Sequence, residues 1–389
     1  MKEGWTYKKL GEVATFMSGY TPDKSELFPQ GKYPYFKVAE MNNPGNELFM
    51  RNTSLYIDSP KKVFPKGSII FPKNGGAIYT EKKRILEYDS VIDLNSEAIS
   101  PNGQIVLKYL FCFLNHIKIS SFDKGGGLPS LDLKKMANSL IPLPSLSEQQ
   151  RIVSRIDSAF AHIDELKANA EKQLSEARTL FQKALTKAME PKEGWEKKTL
   201  KETCSVITDG THHSPINTAD GKYKYVTAKN IRPWGLDLSN ITFVSEEVHK
   251  EIVSRCCPQK GDVLYIKDGA TTGIAIVNPL DEEFSMLSSV ALIRPRKDIL
   301  LSEYLCHALN SPSIYEQTRN QMDGAAITRV TLVKIKGFTI PIPPLSEQHR
   351  IVSRLDSLSA HVRELEEVTQ KTIAECDALK QALLRKVFE

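Results

Sequence analysis

Lysine, arginine, asparagine and threonine gather in short stretches broken by glycine and proline. Lys37, Asn42, Asn43, Lys73, Asn74, Lys82, Lys83 and Arg84 stand in the first part of the chain. Lys229, Asn230, Arg232, Trp234, Lys267, Asp268, Thr271, Thr272, Arg319, Asn320, Gln321, Thr328 and Arg329 stand in a later part. Their chemistry is that of recognition. Arg and Lys donate to phosphates or guanine edges, Asn and Gln pair bidentately with adenine, and Thr reaches either kind of partner. Any one of them alone is more simply a solvated surface residue. The grouping into loops is what points to double-stranded DNA.

Catalytic patterns fail by comparison. The chain has no G-x-x-x-x-G-K-[ST], G-x-G-x-x-G, G-x-S-x-G or H-E-x-x-H, and no Asn/Asp-Pro-Pro-aromatic run of an adenine methyltransferase. Gly125-Gly126-Gly127 reads as a turn rather than a phosphate cradle, and His212-His213 as loop residues without a second ligand cluster. Cys256-Cys257 lacks metal spacing and reads as a strand edge. Pro258–Asp262 with Lys267 resembles a nuclease pattern only loosely, because no acid precedes the lysine. We expect no catalytic residue and no metal site.

The recognition residues must be held by something, and the chain shows what by repeating itself. Residues 141–166 and 340–365 agree at 18 of 26 positions at a constant offset of 199. Weaker echoes run upstream. Lys2-Glu3-Gly4-Trp5 answers Lys192-Glu193-Gly194-Trp195, Tyr33-Pro34-Tyr35 answers Tyr223-Lys224-Tyr225, and Gly67–Gly75 answers Gly261–Gly269. A period near 195 residues is too long for a solenoid and marks a duplicated module.

The near-identical segments read as long helices. Prolines before them stop any helix running backwards, Ser147 and Ser346 are placed as N-caps, and neither segment holds an interior glycine or proline. Apolar or small residues recur at coiled-coil spacing: Ile152, Ile156, Ala159, Ile163, Leu166, Ala170, Ala177, Leu180 and Ala184. The second copy has Ile351, Leu355, Leu358, Val362, Leu365, Thr369, Cys376, Leu379 and Leu383. Such stripes suit an antiparallel pair, each rod about 60 Å long at 1.5 Å per residue. The divergent segments mix strands (Ser68–Phe71, Val263–Ile266, Ile274–Val277, Val290–Ile293) with short helices at 107–119 and 301–310. The expected architecture is therefore α+β. A globule spans 1–145, a long helix 146–190, a second globule 191–344 and a last helix 345–389, with pseudo-twofold repetition.

Composition sets outer limits. The 389 residues carry 52 Lys+Arg against 47 Asp+Glu, a net charge of +5 that by itself announces no partner. The six cysteines form no C-x-x-C pair, which suits a reducing cytoplasm. No apolar run approaches the roughly 20 residues of a membrane helix, and the N-terminus lacks an apolar signal core.

On these residues the chain resembles the specificity subunit of type I restriction-modification enzymes. The resemblance covers essentially the whole chain. It is sharpest in I-P-[LI]-P-x-L-S-E-Q-x-R-I-V at Ile141–Val153 and Ile340–Val352, with Gly4-Trp5 and Gly194-Trp195 opening each half. The resemblance implies two target-recognition domains, each reading half of a bipartite asymmetric site, and helices that act as a ruler and dock two methyltransferase subunits. Restriction subunits for translocation and cleavage would join them. S-adenosylmethionine, ATP and Mg²⁺ would belong to those partners and none to this chain. No helix precedes the first globule, so the chain is expected to start at the recognition domain. A protein-interaction scaffold with a coiled-coil core is the alternative of a different class. A fused enzyme is a further one, against which the missing methyltransferase and nuclease motifs count.

Overall fold

The computed structural model describes residues 5–320 and 329–389. Four helices organise it: α1 (Leu107–His116), α2 (Leu146–Ala188), α3 (Ser302–Leu309) and α4 (Leu345–Phe388). The chain divides into two compact units. One comprises Met1–Ala168 with Thr372–Glu389, the other Asn169–Lys371, so each long helix contributes to both.

In the first unit a five-stranded sheet runs in the order Ala14–Ser18, Ser96–Pro101, Ile69–Pro72, Arg84–Leu86, Phe49–Met50. Side chains alternate across a strand. Ile69 and Phe71 therefore enter one core with Tyr109, Leu110 and Phe113 of α1, while Ile70 enters another with Phe36, Met41 and Met50. Both faces are covered, which is why the strand reads as an unbroken apolar run. The second unit repeats this with Cys204–Asp209, Val290–Pro295, Val263–Ile266 and Ala275–Val277. Val263 and Tyr265 join Tyr304 and Leu305 of α3, and Leu264 and Ile266 face Val226 and Phe284. In each unit a further three-stranded sheet has Tyr33–Phe36 or Tyr223–Val226 in its centre, flanked by one antiparallel and one parallel neighbour. Gly19 and Gly210 follow equivalent strands where no side chain fits. A Cβ there would lie 2.0 Å from the Asp93 carbonyl oxygen and 1.9 Å from that of Met286.

The recurring Ser-Glu-Gln segment has a structural cause. Gln149 is fully buried, donates to the Pro144 carbonyl (2.9 Å) and that of Gln104 (3.2 Å), and accepts from the Val106 N–H (2.8 Å). Gln348 does the same with Pro343 (2.8 Å), Ile299 (2.8 Å) and Leu301 (2.9 Å). Each glutamine thus joins the start of a long helix to the start of α1 or α3, satisfying backbone groups that a helix terminus leaves open. Tyr109 and Tyr304 reinforce the joint by donating to the carbonyls of Pro142 and Pro341, both at 2.9 Å.

Two expectations about the helices are corrected. Ser147 and Ser346 do not cap. Helix α2 starts two residues earlier than such a cap would set it, at Leu146, and Ser145 Oγ accepts from the Glu148 N–H (3.3 Å). At the equivalent place Pro344 offers its carbonyl to Glu347 and Gln348. The second position of the first seam also lies one residue later than expected. Leu166 and Leu180 are exposed, while Phe160, Lys167, Leu174 and Phe181 are half-buried. An alanine-rich stripe leaves neighbouring positions ambiguous, and the long aliphatic stem of Lys167 serves as an apolar one.

The helices are antiparallel in both units. Asp164 and Lys167 of α2 pair with Lys380 and Asp377 of α4 in the first, and Arg178 pairs with Glu366 (2.6 Å) in the second. Their C-terminal ends finish the cores. Leu384 and Phe388 of α4 are buried in the first unit, where Phe388 packs edge-on against Tyr109 and Phe113. Leu185 and Met189, at the end of α2, are buried in the second.

Candidate nucleic-acid interface

In the first unit the short 3₁₀ turn Val38–Asn42 and the segment before Arg84–Leu86 bring several candidates together. Lys82 donates to the Asn42 side chain, and Arg84 Nη2 to the Met41 carbonyl (3.2 Å). Asn43 is exposed beside Asn42, and Lys37, exposed at the start of that turn, lies over the Tyr35 ring. Lys37, Asn42 and Asn43 are thus exposed together, with Lys82 and Arg84 half-buried against the same turn. Lys83 behaves otherwise. It is buried against Glu81 (3.2 Å), and burial pushes its ammonium below the usual lysine range while Glu81 opposes the shift. Lys73 is half-buried and bound to buried Glu97 (3.1 Å), and Asn74 accepts from Ser130 Oγ (3.3 Å).

The second unit divides its candidates similarly. Lys229 is exposed and Arg232 half-buried, and both line a cavity bounded by Tyr225, Asp237 and Asn240. Asn230 belongs to the same wall but is buried, its side chain accepting from Thr227 and donating to the Asp237 carbonyl (3.2 Å). Trp234 is exposed and shares a second cavity with Thr272 and Tyr315. Thr272 is buried and donates to the Gly269 carbonyl (2.7 Å), leaving Thr271 exposed beside it. Lys267 is 1% exposed, 3.4 Å from Asp209 and 3.1 Å from Asp268, and exposed Arg329 reaches Asp268 at 3.3 Å. Arg319 and Asn320 end the helix Pro312–Asn320; Gln321 and Thr328 lie outside the described residues.

Lys83, Asn230, Lys267 and Thr272 therefore spend their polar groups inside the fold. A lysine closing an apolar strand looks the same in sequence whether it faces solvent or a buried acid. Residues that the loop composition did not single out are Asn217, Tyr225, Asp237 and Asn240, around the first cavity of the second unit. Burial pushes the Tyr225 hydroxyl up to about 12. The Tyr-x-Tyr echo at 33–35 and 223–225 was the available signal.

The remaining sequence features have structural places. His212 sits against Arg255 (3.0 Å) and Asp209 (3.4 Å). Cys256, expected at a strand edge, instead closes the helix Glu246–Arg255 and is buried. Among the described residues no group of three His, Cys, Asp or Glu could hold a metal ion, and no helix is long and apolar enough to cross a membrane.

Comparison with known proteins adds the family. The model of the type I restriction modification DNA specificity domain matches twice, at residues 2–176 and 192–375. The EcoKI specificity subunit of Escherichia coli K12 is 24% identical over 422 residues, covering all of this chain and 89% of that protein. The Escherichia coli EcoBI specificity subunit is 25% identical over 430 residues, covering 99% of this chain and 86% of its own. In fold, the chain is similar over its whole length to a subunit from a study of type I restriction-modification assembly (TM-score 0.77, 22% identity, 98% of that chain). It is also similar to the HsdS subunit of Thermoanaerobacter tengcongensis (TM-score 0.59, 22% identity, 100% of this chain and 97% of that one). Two matched copies of one domain, on a duplicated α+β frame with paired long helices, place this chain in the family of type I restriction-modification specificity subunits, with two DNA-recognition domains.

Proposed function

We propose that each globular unit reads one half of a bipartite, asymmetric site in double-stranded DNA. Residues 1–145 and 191–344 are the two readers; the helices 146–190 and 345–389 set the gap between half-sites and dock two methyltransferase subunits. The observation that carries this reading is a duplication whose frame is kept and whose loops are not. Gln149 and Gln348 make equivalent bonds, whereas the exposed and half-buried polar groups differ: Lys37, Asn42, Asn43 and Lys82 in one copy, Lys229, Arg232, Trp234, Thr271 and Arg329 in the other. Different side chains on one scaffold suit two different half-sites. Lys73, Asn74 and Arg84, with Arg319, Asn320 and Gln321, complete the proposed DNA-binding set, in which Lys83, Asn230, Lys267 and Thr272 act as supports.

The chain supplies sequence recognition and no chemistry of its own. S-adenosylmethionine, ATP and Mg²⁺ belong to the methyltransferase and restriction subunits, and the complex works in the cytoplasm. The test is adenine-methylation mapping. The chain is expressed with its methyltransferase partner in a host lacking adenine methylation, and modified positions are read across the genome. A split, asymmetric motif that requires both proteins supports the reading. A stable complex that leaves no methylated motif overturns it.

A further inference from the structure

When two copies of a module diverge, exposed positions are the freest to change, because most surface substitutions cost little. The starts of the two long helices break that pattern. Buried Ile156 is answered by Leu355, whereas exposed Arg151, Ser154, Arg155 and Ser158 recur unchanged as Arg350, Ser353, Arg354 and Ser357. Spacings of three, four and seven residues put these positions on one face of each helix. The fold accounts for part of the identity. Arg151 and Arg350 are each held by a glutamate three residues earlier, Glu148 and Glu347, both at 2.7 Å. Arg155 and Arg354 make no hydrogen bond or ion pair among the described residues. Their identity needs another cause.

Each of these arginines stands at the rim of a groove, and the two grooves are built alike. In the first unit a groove of about 410 Å³ lies between the start of α2 and the end of α4, lined by Ile152, Ile156 and Leu383 with Arg155 and Lys386. In the second unit one of about 170 Å³ lies between the start of α4 and the end of α2. It is lined at the offset of 199 by Ile351, Leu355 and Ala184 with Arg354 and Lys187. Glu148 and Glu347 are committed to their own arginines, and Glu347 also takes Lys192 (3.1 Å). Positive charge is therefore left over at both rims. An apolar floor beneath it calls for a protein surface, since a phosphate backbone has nothing apolar to lay there.

We infer that Arg155 and Arg354 anchor one and the same partner surface, an acidic side chain beside an apolar one, on each of two identical methyltransferase subunits. The inference rests on the docking role proposed for the helices and assigns its site. Wild type, Arg155→Glu, Arg354→Glu and the double variant are each expressed with the methyltransferase subunit, and the complexes are weighed without DNA by native mass spectrometry. Wild type is expected to carry two copies. Each single variant should weaken one binding event by about a hundredfold and leave mostly one copy bound, and the double variant should leave none. Gln150→Glu, at an exposed position that differs between the repeats, should keep both copies, and amide exchange in α1 and α3 should be unchanged throughout. Two copies on the double variant overturn the inference, and if its DNA affinity alone falls, the face belongs to the phosphate backbone instead. A wild type that binds no methyltransferase subunit is the failure of the docking reading itself.

Discussion

Lys267 and Asp209 form an ion pair sealed inside the second unit, with Nζ 3.4 Å from Oδ2 and 1% and 2% of the side chains exposed. The first unit has its counterpart in Lys73 and Glu97, at 3.1 Å. The acid has changed strands. Ser18 stands opposite Glu97, whereas Asp209 stands opposite Ala291. A buried lysine needs a counter-ion, and either adjacent strand can provide it. Asp209→Ala should destabilise the second unit by about 3 kcal/mol, and adding Ala291→Glu should return part of that. Urea unfolding of the full chain decides; a double variant no more stable than the single one would break the equivalence.

Gln149 and Gln348, both buried, each make three hydrogen bonds to backbone groups. Replacing either by leucine strands those groups and should cost about 2–4 kcal/mol. Gln149→Leu should act on the first unit and Gln348→Leu on the second. Hydrogen exchange at Val106 and Leu301 reports each separately, and equal protection in both variants would refute the role.

Phe388 is buried in the first unit among Tyr109 and Phe113. Phe388→Ala should cost about 3–5 kcal/mol and speed amide exchange in α1. Exchange in α3 should be unaffected. A loss shared evenly by both would show that the contact is not local.

His116 stacks on Phe388 at 5.5 Å, with Glu389 3.8 Å away. Burial holds its imidazole below the usual histidine value, Arg385 adding to the effect and Glu389 opposing it. The unfolded chain then binds the proton more tightly than the folded one. Stability present at neutral pH is lost as pH falls through the ordinary histidine range near about 6.5. Thermal midpoints between pH 8 and 5 should show this loss in the wild type and a smaller one in His116→Phe. Identical profiles would exclude His116 as the source.

Four residues add about 6 Å to a helix. Inserted near Lys172, they should change the gap of the methylated motif and neither half-site. A change in half-site bases would sink the ruler.

The repeat, the long helices and the main strands were legible because each rests on a local pattern. Val263–Ile266 is a strand over the expected residues, and α1 and α3 lie within the expected 107–119 and 301–310. The helix Glu246–Arg255 was missed, being short and largely polar, with His249 and Ile252 as its buried residues. At the candidate site the limit is different. Composition located the loops around Asn42, Lys82, Lys229 and Arg232, but whether a polar group faces solvent depends on partners distant in sequence. Lys267 needs Asp209, 58 residues away, and Asn46 is consumed by Arg51 and Asn52 in a turn of its own. Tyr225 looked like any strand aromatic.

Leu185 and Met189 stand where Leu384 and Phe388 stand in the second repeat, at the same offset of 199. Each pair plugs the core of the unit that its own repeat does not build: 185 and 189 the second, 384 and 388 the first. A single repeat would therefore carry one empty socket and one spare plug. Two identical copies exchanging helix ends would satisfy both, which makes a swapped homodimer the natural form of an unduplicated ancestor. Such a dimer presents two identical reading surfaces and is suited to a palindrome.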